Sequence, residues 1–92
     1  MKAYELLSDP SKWTKRAMAR MKGDAPVEHY SDKAVCWCTL GAIMYCYPSG
    51  TDIAAFRKVA DHLGIRSGLI DWNDAPERTY EEVYSILKEL DV

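Results

Sequence analysis

Residues 34–50, AVCWCTLGAIMYCYPSG, are the stretch that decides the fold, because they contain all three cysteines and no charged residue. Lys33 and Asp52 lie just outside it, and 28% of the 92-residue chain is Asp, Glu, Lys or Arg. Hydrophobic burial is the main force that stabilises so small a protein. We therefore expect the chain to fold over this stretch, and we predict a central buried helix from Ala34 to about Tyr45.

The predicted central helix has an apolar stripe and a candidate N-cap. Ser31 or Asp32 can cap its first turn, because a short side-chain oxygen accepts hydrogen bonds from free backbone N–H groups. Pro48 ends the apolar run, which is shorter than the roughly 20 residues of a membrane span, so we predict no membrane span. The inward stripe contains Val35, Cys38, Ala42 and Cys46.

Three other segments have helical patterns. The first is Met1–Leu7, and the second is residues 53–63, with Gly64 at its C-terminal end. The last helix begins at Thr79, which forms a capping-box pattern with Glu82. The expected inward residues of the last two helices are Ile53, Phe56, Val59, Ala60 and Leu63, then Val83, Ile86, Leu87 and Leu90.

The segment before the central helix is compatible with two structures. Residues 17–21 alternate as a strand does, whereas the longer segment Trp13–Met21 has helical spacing. The turn signal GDAP (23–26) allows residues 27–30 to return as a partner strand. The expected fold is therefore mainly α: a compact single domain over residues 1–92 with about four helices, and with a small β-hairpin as an option.

The composition indicates a cytoplasmic globular domain. An apolar content of 48% is ordinary for a folded chain of this length. The three cysteines lack the spacing of a secreted disulfide scaffold, and residues 1–10 contain no apolar signal region. We therefore expect the reducing cytoplasm. A homodimer is an option, because a chain of this size buries only about two thirds of its unfolded surface.

Three motifs carry a resemblance to a known family. They are KWTKRAMAR (12–20), the pattern W-C-x-x-G-A (37–42) and the pattern W-N-D-A-P-x-R-T (72–79). Together they resemble a family of small bacterial and phage proteins, domain of unknown function 6197. The resemblance covers most of the chain and implies a compact, helix-rich domain, but it implies no activity. Family members usually have one cysteine, at the position of Cys38, so the other two are expected to be peculiar to this chain.

The cysteines and histidines are the first candidates for chemistry. A zinc site normally has four ligands. Residues two apart on a helix point to nearly opposite sides, so Cys36 and Cys38 cannot share one ion if both lie on the central helix. We therefore expect no metal and no cofactor. The four ligands weighed for this site are Cys36, Cys38, His29 and His62.

A cysteine nucleophile is the alternative chemistry. Cys38 or Cys36 near a helix N-terminus would gain thiolate character. His29 or His62 would then serve as the base, with Asn73 as the orienting group. Buried cysteine more commonly acts as a small hydrophobe. We therefore expect inert thiols and no catalytic residue, and we keep a small cysteine-dependent enzyme as the alternative function.

The polar cluster at residues 71–77 does not fit a calcium loop. In a loop that begins at Asp71, an alanine and a proline occupy positions that need an oxygen ligand and a glycine. We expect instead that Asn73 or Asp74 bonds the nearby backbone and shapes the turn into the last helix. Arg78 is then expected to pair with a carboxylate of this cluster.

The charge distribution disfavours a nucleic-acid partner. Basic residues around Trp13 could hold phosphate while the indole stacks on a base. However, the isoelectric point is about 5.6, and the acidic C-terminal third would repel the same ligand. The basic residues are Lys12, Lys15, Arg16, Arg20 and Lys22.

The function expected from the sequence is a non-catalytic protein-binding or accessory module of bacterial or phage origin. One concrete version is an inhibitor that docks on a host protein. The expected binding face is the outer side of the last helix, because exposed tyrosine is enriched at interfaces and carboxylates speed the encounter with a basic partner. This face contains Tyr84, Glu81, Lys88 and Asp91.

Overall fold

The computed structural model describes residues 1–92 as five α-helices, a short 3-10 turn and a three-stranded antiparallel sheet. The fold is therefore mixed α/β, and the prediction of a mainly α domain with about four helices is wrong. In chain order, the elements are α1 (Ala3–Leu6), the 3-10 turn (Pro10–Lys12), β1 (Ala19–Met21), β2 (Pro26–Val27), β3 (Ala34–Trp37), α2 (Thr39–Cys46), α3 (Thr51–Leu63), α4 (Leu69–Asp74) and α5 (Tyr80–Glu89).

The uncharged stretch that was predicted to be one helix is a strand followed by a helix. β3 pairs with β1, so that Ala19 lies opposite Trp37. β-Branched and aromatic residues favour a pleated, half-buried surface, and a partner strand is available here. Cys38 has extended backbone and is the N-cap of α2. The prediction of Ser31 or Asp32 as the cap is therefore wrong.

Val35 lies where the register of β3 changes. Cys36 pairs with Arg20, and Ala34 pairs with Met21, so Val35 between them has no partner, as in a β-bulge. Its side chain is 50% exposed, which overturns its predicted place on an inward stripe. At the other end of β3, the backbone N–H of Thr14 donates to the carbonyl oxygen of Trp37 over 3.0 Å.

The hairpin that was an option in the sequence is present. β1 and β2 pair antiparallel, with Ala19 opposite Val27. Gly23 and Asp24 have φ of 90° and 71°, which glycine and aspartate tolerate in turns. The guanidinium of Arg20 donates to the carbonyl oxygen of Asp24 over 2.9 Å and so fixes the turn.

The helices and β3 enclose one hydrophobic core. The backbone N–H of Ala3 donates to the carbonyl oxygen of Val92 over 2.6 Å, so the two ends of the described chain lie together. No helix has both the length and the apolar character needed to span a membrane. The largest fully buried apolar side chains are Leu7, Ile43, Leu69, Leu87, Val59 and Val83.

Of the three later helices, α3 and α5 were predicted and α4 was not. α3 ends at Leu63 with Gly64 as its C-cap, as predicted, although Ile53 is 56% exposed and Ala55 is buried instead. α5 has the predicted capping box, in which the N–H of Glu82 donates to Thr79 Oγ1 over 3.3 Å and the N–H of Thr79 donates to Glu82 Oε1 over 3.2 Å. α4 is a helix that the sequence patterns did not predict.

Gly41 allows α2 to contact the segment before β1. A Cβ atom at this position would lie 2.1 Å from the carbonyl oxygen of Met18. The same oxygen accepts a hydrogen bond from the N–H of Cys38 over 3.1 Å, so it cannot move away without loss of that bond. Only glycine therefore fits between α2 and this backbone.

We predict that Gly41→Ala lowers the free energy of unfolding by about 2 kcal/mol, as overpacking does. Alanine in a free helix would instead add about 1 kcal/mol, so the sign of the change is diagnostic. Chemical denaturation measures it. Gly68→Ala is the control, because a Cβ there meets nothing within 4 Å. A Gly41→Ala protein as stable as the parent would contradict the close packing.

Candidate functional site

The side chain of Asn73 is fully buried and holds three parts of the chain together. Its Oδ1 accepts hydrogen bonds from the indole N–H of Trp13 over 2.7 Å, from the backbone N–H of Thr39 over 2.9 Å and from the Thr39 hydroxyl over 2.6 Å. Its Nδ2 donates to the carbonyl oxygen of Thr14 over 3.1 Å. Asn73 therefore connects α4 with the first turn of α2 and with residues 13–14.

The sequence singled out Asn73 and Asp74 but assigned them a local role. Asn73 was expected to shape the turn into α5, yet its partners Trp13 and Thr39 lie 60 and 34 residues away. Arg78 was expected to pair with this cluster. It instead binds Glu82 over 2.7 Å, and together with the cap it holds the pKa of that carboxyl below its usual value.

Asp74 continues the network towards the surface. Its Oδ1 accepts hydrogen bonds from Asn73 Nδ2 over 3.0 Å and from the backbone N–H of Arg16 over 2.9 Å. Arg16 has a φ of 67°, in the left-handed region that residues other than glycine rarely adopt. Lys15 binds the carbonyl oxygen of Ala75 over 2.7 Å. The segment before β1 is therefore bound to the end of α4 at several points.

A cavity of about 210 Å³ lies beside this network. It opens between the segment before β1, the start of α2 and the outer side of α4. Four of its six lining residues are hydrophobic. The lining consists of Arg16, Ala17, Met18, Cys38, Ile70 and Asp74. Composition and spacing gave no sign of this cavity, because its residues come from three distant segments.

Cys38 lies between the core and the cavity, and it is 2% exposed. Its sulfur accepts a hydrogen bond from the N–H of Gly41 over 3.3 Å and lies 3.9 Å from the sulfur of Met18. Burial, which disfavours the thiolate, raises the pKa of Cys38 above its ordinary value. Burial also raises the pKa of Cys46 to about 11. All three thiols are free, and Cys36 is buried.

The two histidines have partners other than cysteine. The ring of His29 packs edge-on against Tyr30 at 5.1 Å, and its carbonyl oxygen accepts from the indole of Trp37. Nε2 of His62 lies 3.7 Å from a carboxylate oxygen of Glu89. No hydrogen bond joins either imidazole to a cysteine, so the candidate catalytic groups are not assembled by direct contacts.

Cys36 and Cys38 were expected to lie on one helix and therefore to be unable to share a zinc ion. That placement on one helix is wrong. Cys36 lies on β3 and Cys38 follows it as the cap of α2, so the two are not on one helix. The structure contains no group of three or more His, Cys, Asp or Glu side chains that could hold a metal ion.

The predicted binding face on α5 is partly ordered by contacts. Tyr84 stacks on Tyr80 with ring centroids 5.8 Å apart and meets the edge of Tyr4 at 6.3 Å. The ammonium of Lys88 lies 5.7 Å from the centre of the Tyr84 ring. Glu81 is exposed and makes no ion pair. At the far end, Asp91 pairs with Lys2 over 3.3 Å.

Residues 1–90 of the chain match the family of unknown function DUF6197. The chain belongs to this family. The resemblance drawn from the sequence is thus confirmed, and it covers nearly the whole domain. No curated protein and no solved structure matches the chain. The family has no described activity.

The three segments that carried the family resemblance meet at one place in this member of the family. Trp13 and Arg16 belong to the first segment, Cys38 to the second, and Asn73 and Asp74 to the third. The hydrogen bonds of Asn73 and Asp74 join the segments, and the cavity lies between them. This place is therefore the candidate functional site.

We predict that Asn73→Ala lowers the free energy of unfolding by about 3 kcal/mol, because it leaves buried donors of Trp13 and Thr39 without an acceptor. Thermal and chemical denaturation measure the loss. Asp71→Ala is the control on the same helix: its side chain is exposed, and the expected change is within about 0.5 kcal/mol. Equal free energies of unfolding for the two variants would contradict the conclusion that the hydrogen bonds of Asn73 stabilise the fold.

We also predict that iodoacetamide modifies Cys38 far more slowly in the native protein at pH 7 than in denaturant. Cys38 is 2% exposed, so the reagent has little access to its sulfur, and the raised pKa further lowers the fraction of thiolate, which is the nucleophile. The native rate should increase as the pH rises towards the raised pKa. Peptide mapping by mass spectrometry separates the three cysteines. Native modification of Cys38 at the denatured rate would favour the enzyme alternative.

Proposed function

We propose that this protein is a non-catalytic protein-binding or accessory module, and that it binds its partner through the outer face of α5. The observation that carries the proposal is the ring of Tyr84, which Tyr80 and Tyr4 hold in place at the surface. A tyrosine that is already ordered loses little side-chain entropy on binding. Aromatic anchors of this kind are common hot spots at protein interfaces.

The charges around Tyr84 support the same face. Glu81 lies one turn before it and is free of ion pairs, whereas Lys88 lies one turn after it. An anchor between charges of opposite sign resembles the apolar centre and polar rim of a protein interface. Such charges mainly accelerate the encounter and select the partner. Binding is therefore expected to weaken as salt increases.

Two observations favour binding over catalysis by cysteine. Burial raises the pKa of Cys38, so its thiol is protonated at neutral pH. His29 and His62 contact Tyr30 and Glu89, and no hydrogen bond connects them with a cysteine. An activated thiol needs a base within hydrogen-bond reach or a lowered pKa. The small cysteine-dependent enzyme remains the second candidate, with less support.

The cellular setting is part of the proposal. The family resemblance from the sequence suggests a bacterial or phage protein, and three free thiols suit a reducing cytoplasm. In a phage, the module would act as an inhibitor that docks on a host protein. A single-core domain of this size suits that role, because an interface needs only about 800 Å² on each partner.

The test begins with a partner captured from lysate of the native host and identified by mass spectrometry. Binding of the purified partner is then measured by calorimetry. Tyr84→Ala and Glu81→Lys should each weaken binding about tenfold or more. Glu81→Lys should change the melting temperature little, whereas Tyr84→Ala should lower it somewhat, because the contacts with Tyr80 and Tyr4 are lost. The matched controls are Tyr30→Ala and Glu28→Lys, which alter an exposed tyrosine and an exposed glutamate away from α5.

The pattern across the four variants decides the result. Weaker binding by the α5 variants alone supports the proposed face. Unchanged affinity in both α5 variants contradicts it, and weaker binding by Tyr30→Ala would instead place the interface near Trp37, whose indole binds the neighbouring carbonyl of His29.

A further inference from the structure

The cavity beside Cys38 has a size that suits one small metabolite. Its volume of about 210 Å³ has room for several water molecules, each of which takes about 30 Å³. Pockets for drug-sized ligands begin at about 300 Å³, so this cavity matches a smaller ligand. Met18, Ile70 and Cys38 give the cavity an apolar lining.

Two residues of opposite charge, Arg16 and Asp74, line this cavity and form no ion pair with each other. The guanidinium of Arg16 makes no hydrogen bond and no ion pair. Asp74 uses Oδ1 to bind Asn73 and the backbone of Arg16, whereas its Oδ2 accepts no hydrogen bond from the protein. Each charge therefore keeps a free binding group.

The backbone at Arg16 is held in a conformation that an arginine does not prefer. Its φ of 67° is left-handed, and the carboxylate of Asp74 holds it there by accepting its N–H. Strained residues of this kind persist only where surrounding contacts hold them, and they are frequent at binding and catalytic sites. Asp74 thus positions Arg16 at the cavity through the backbone, while both charges stay available.

We propose that this cavity binds a free α-amino acid with an apolar side chain. Arg16 would bind the carboxylate, since the guanidinium fork matches a carboxylate in geometry and charge. Oδ2 of Asp74 would accept hydrogen bonds from the ammonium group. The apolar side chain of the ligand would pack against Met18, Ile70 and Cys38.

The pair of charges discriminates against simpler ligands. A carboxylic acid without an amino group would leave Asp74 facing an anion, and an amine without a carboxylate would leave Arg16 without its partner. A zwitterion satisfies both groups, and the apolar lining disfavours a charged or strongly polar side chain. The site is therefore expected to select for the ammonium and carboxylate groups of an amino acid and for an apolar side chain.

The experiment is a titration of the full chain with L-leucine, followed by amide shifts in two-dimensional NMR spectra. The matched probes are 4-methylpentanoate, which lacks the amino group, and 3-methylbutylamine, which lacks the carboxylate. L-Leucine should saturate shifts at Ala17, Met18 and Ile70, and each probe should bind about tenfold more weakly or worse. Absence of saturable shifts with L-leucine, or equal binding of the three compounds, overturns the proposal.

Two variants remove one charge each while they keep the local structure. Asp74→Asn retains an oxygen that can accept from Arg16, and Arg16→Asn places a residue that tolerates left-handed backbone. Each should weaken L-leucine binding about tenfold or more. The controls Asp71→Asn and Arg66→Asn remove exposed charges outside the cavity and should leave binding unchanged. Full binding by both cavity variants overturns the assignment, and the probe series on the parent protein decides the question if a variant fails to fold.

Discussion

The amide of Asn73 is the interaction on which the rest of the structure depends. One oxygen accepts from an indole, a backbone N–H and a hydroxyl, and Asn73 itself is fully buried. In such surroundings an unsatisfied polar group is costly, so each donor is bound to this one acceptor. The position of α4 is thereby linked to the start of α2 and to the chain before β1. Asp74 extends the link to Arg16, and the cavity is the space that these connections leave.

Local signals predicted the parts of the fold that local interactions determine. The capping box at Thr79, the left-handed end of α3 at Gly64 and the turn of the hairpin depend on residues close in sequence. The division of residues 34–46 into β3 and α2 does not depend on residues close in sequence. It requires β1 as a partner across about 16 residues, and the apolar pattern alone fits a buried helix equally well. Tertiary pairing therefore overrode the local preference.

Some residues of the candidate site could be named from the sequence, but their arrangement could not. Cys38, Asn73 and Asp74 all attracted attention as polar or reactive groups in unusual surroundings. Their expected roles were local, because a sequence shows neighbours along the chain and not the contact between residues 13–16 and 73–74. The left-handed backbone of Arg16 had no signal at all, since neither glycine nor asparagine stands there. Its conformation results from Asp74, which lies 58 residues away.

The unpaired Val35 interrupts an edge strand of the sheet. The free edges of a sheet are templates for strand addition and hence for aggregation, and natural proteins interrupt them. Here β3 has its bulge at Val35 and is covered by Thr14 at Trp37, while β2 is only two residues long and begins with Pro26, which has no N–H to donate. Neither edge presents a long regular row of free backbone groups. The small sheet therefore offers little template for a partner strand on either side.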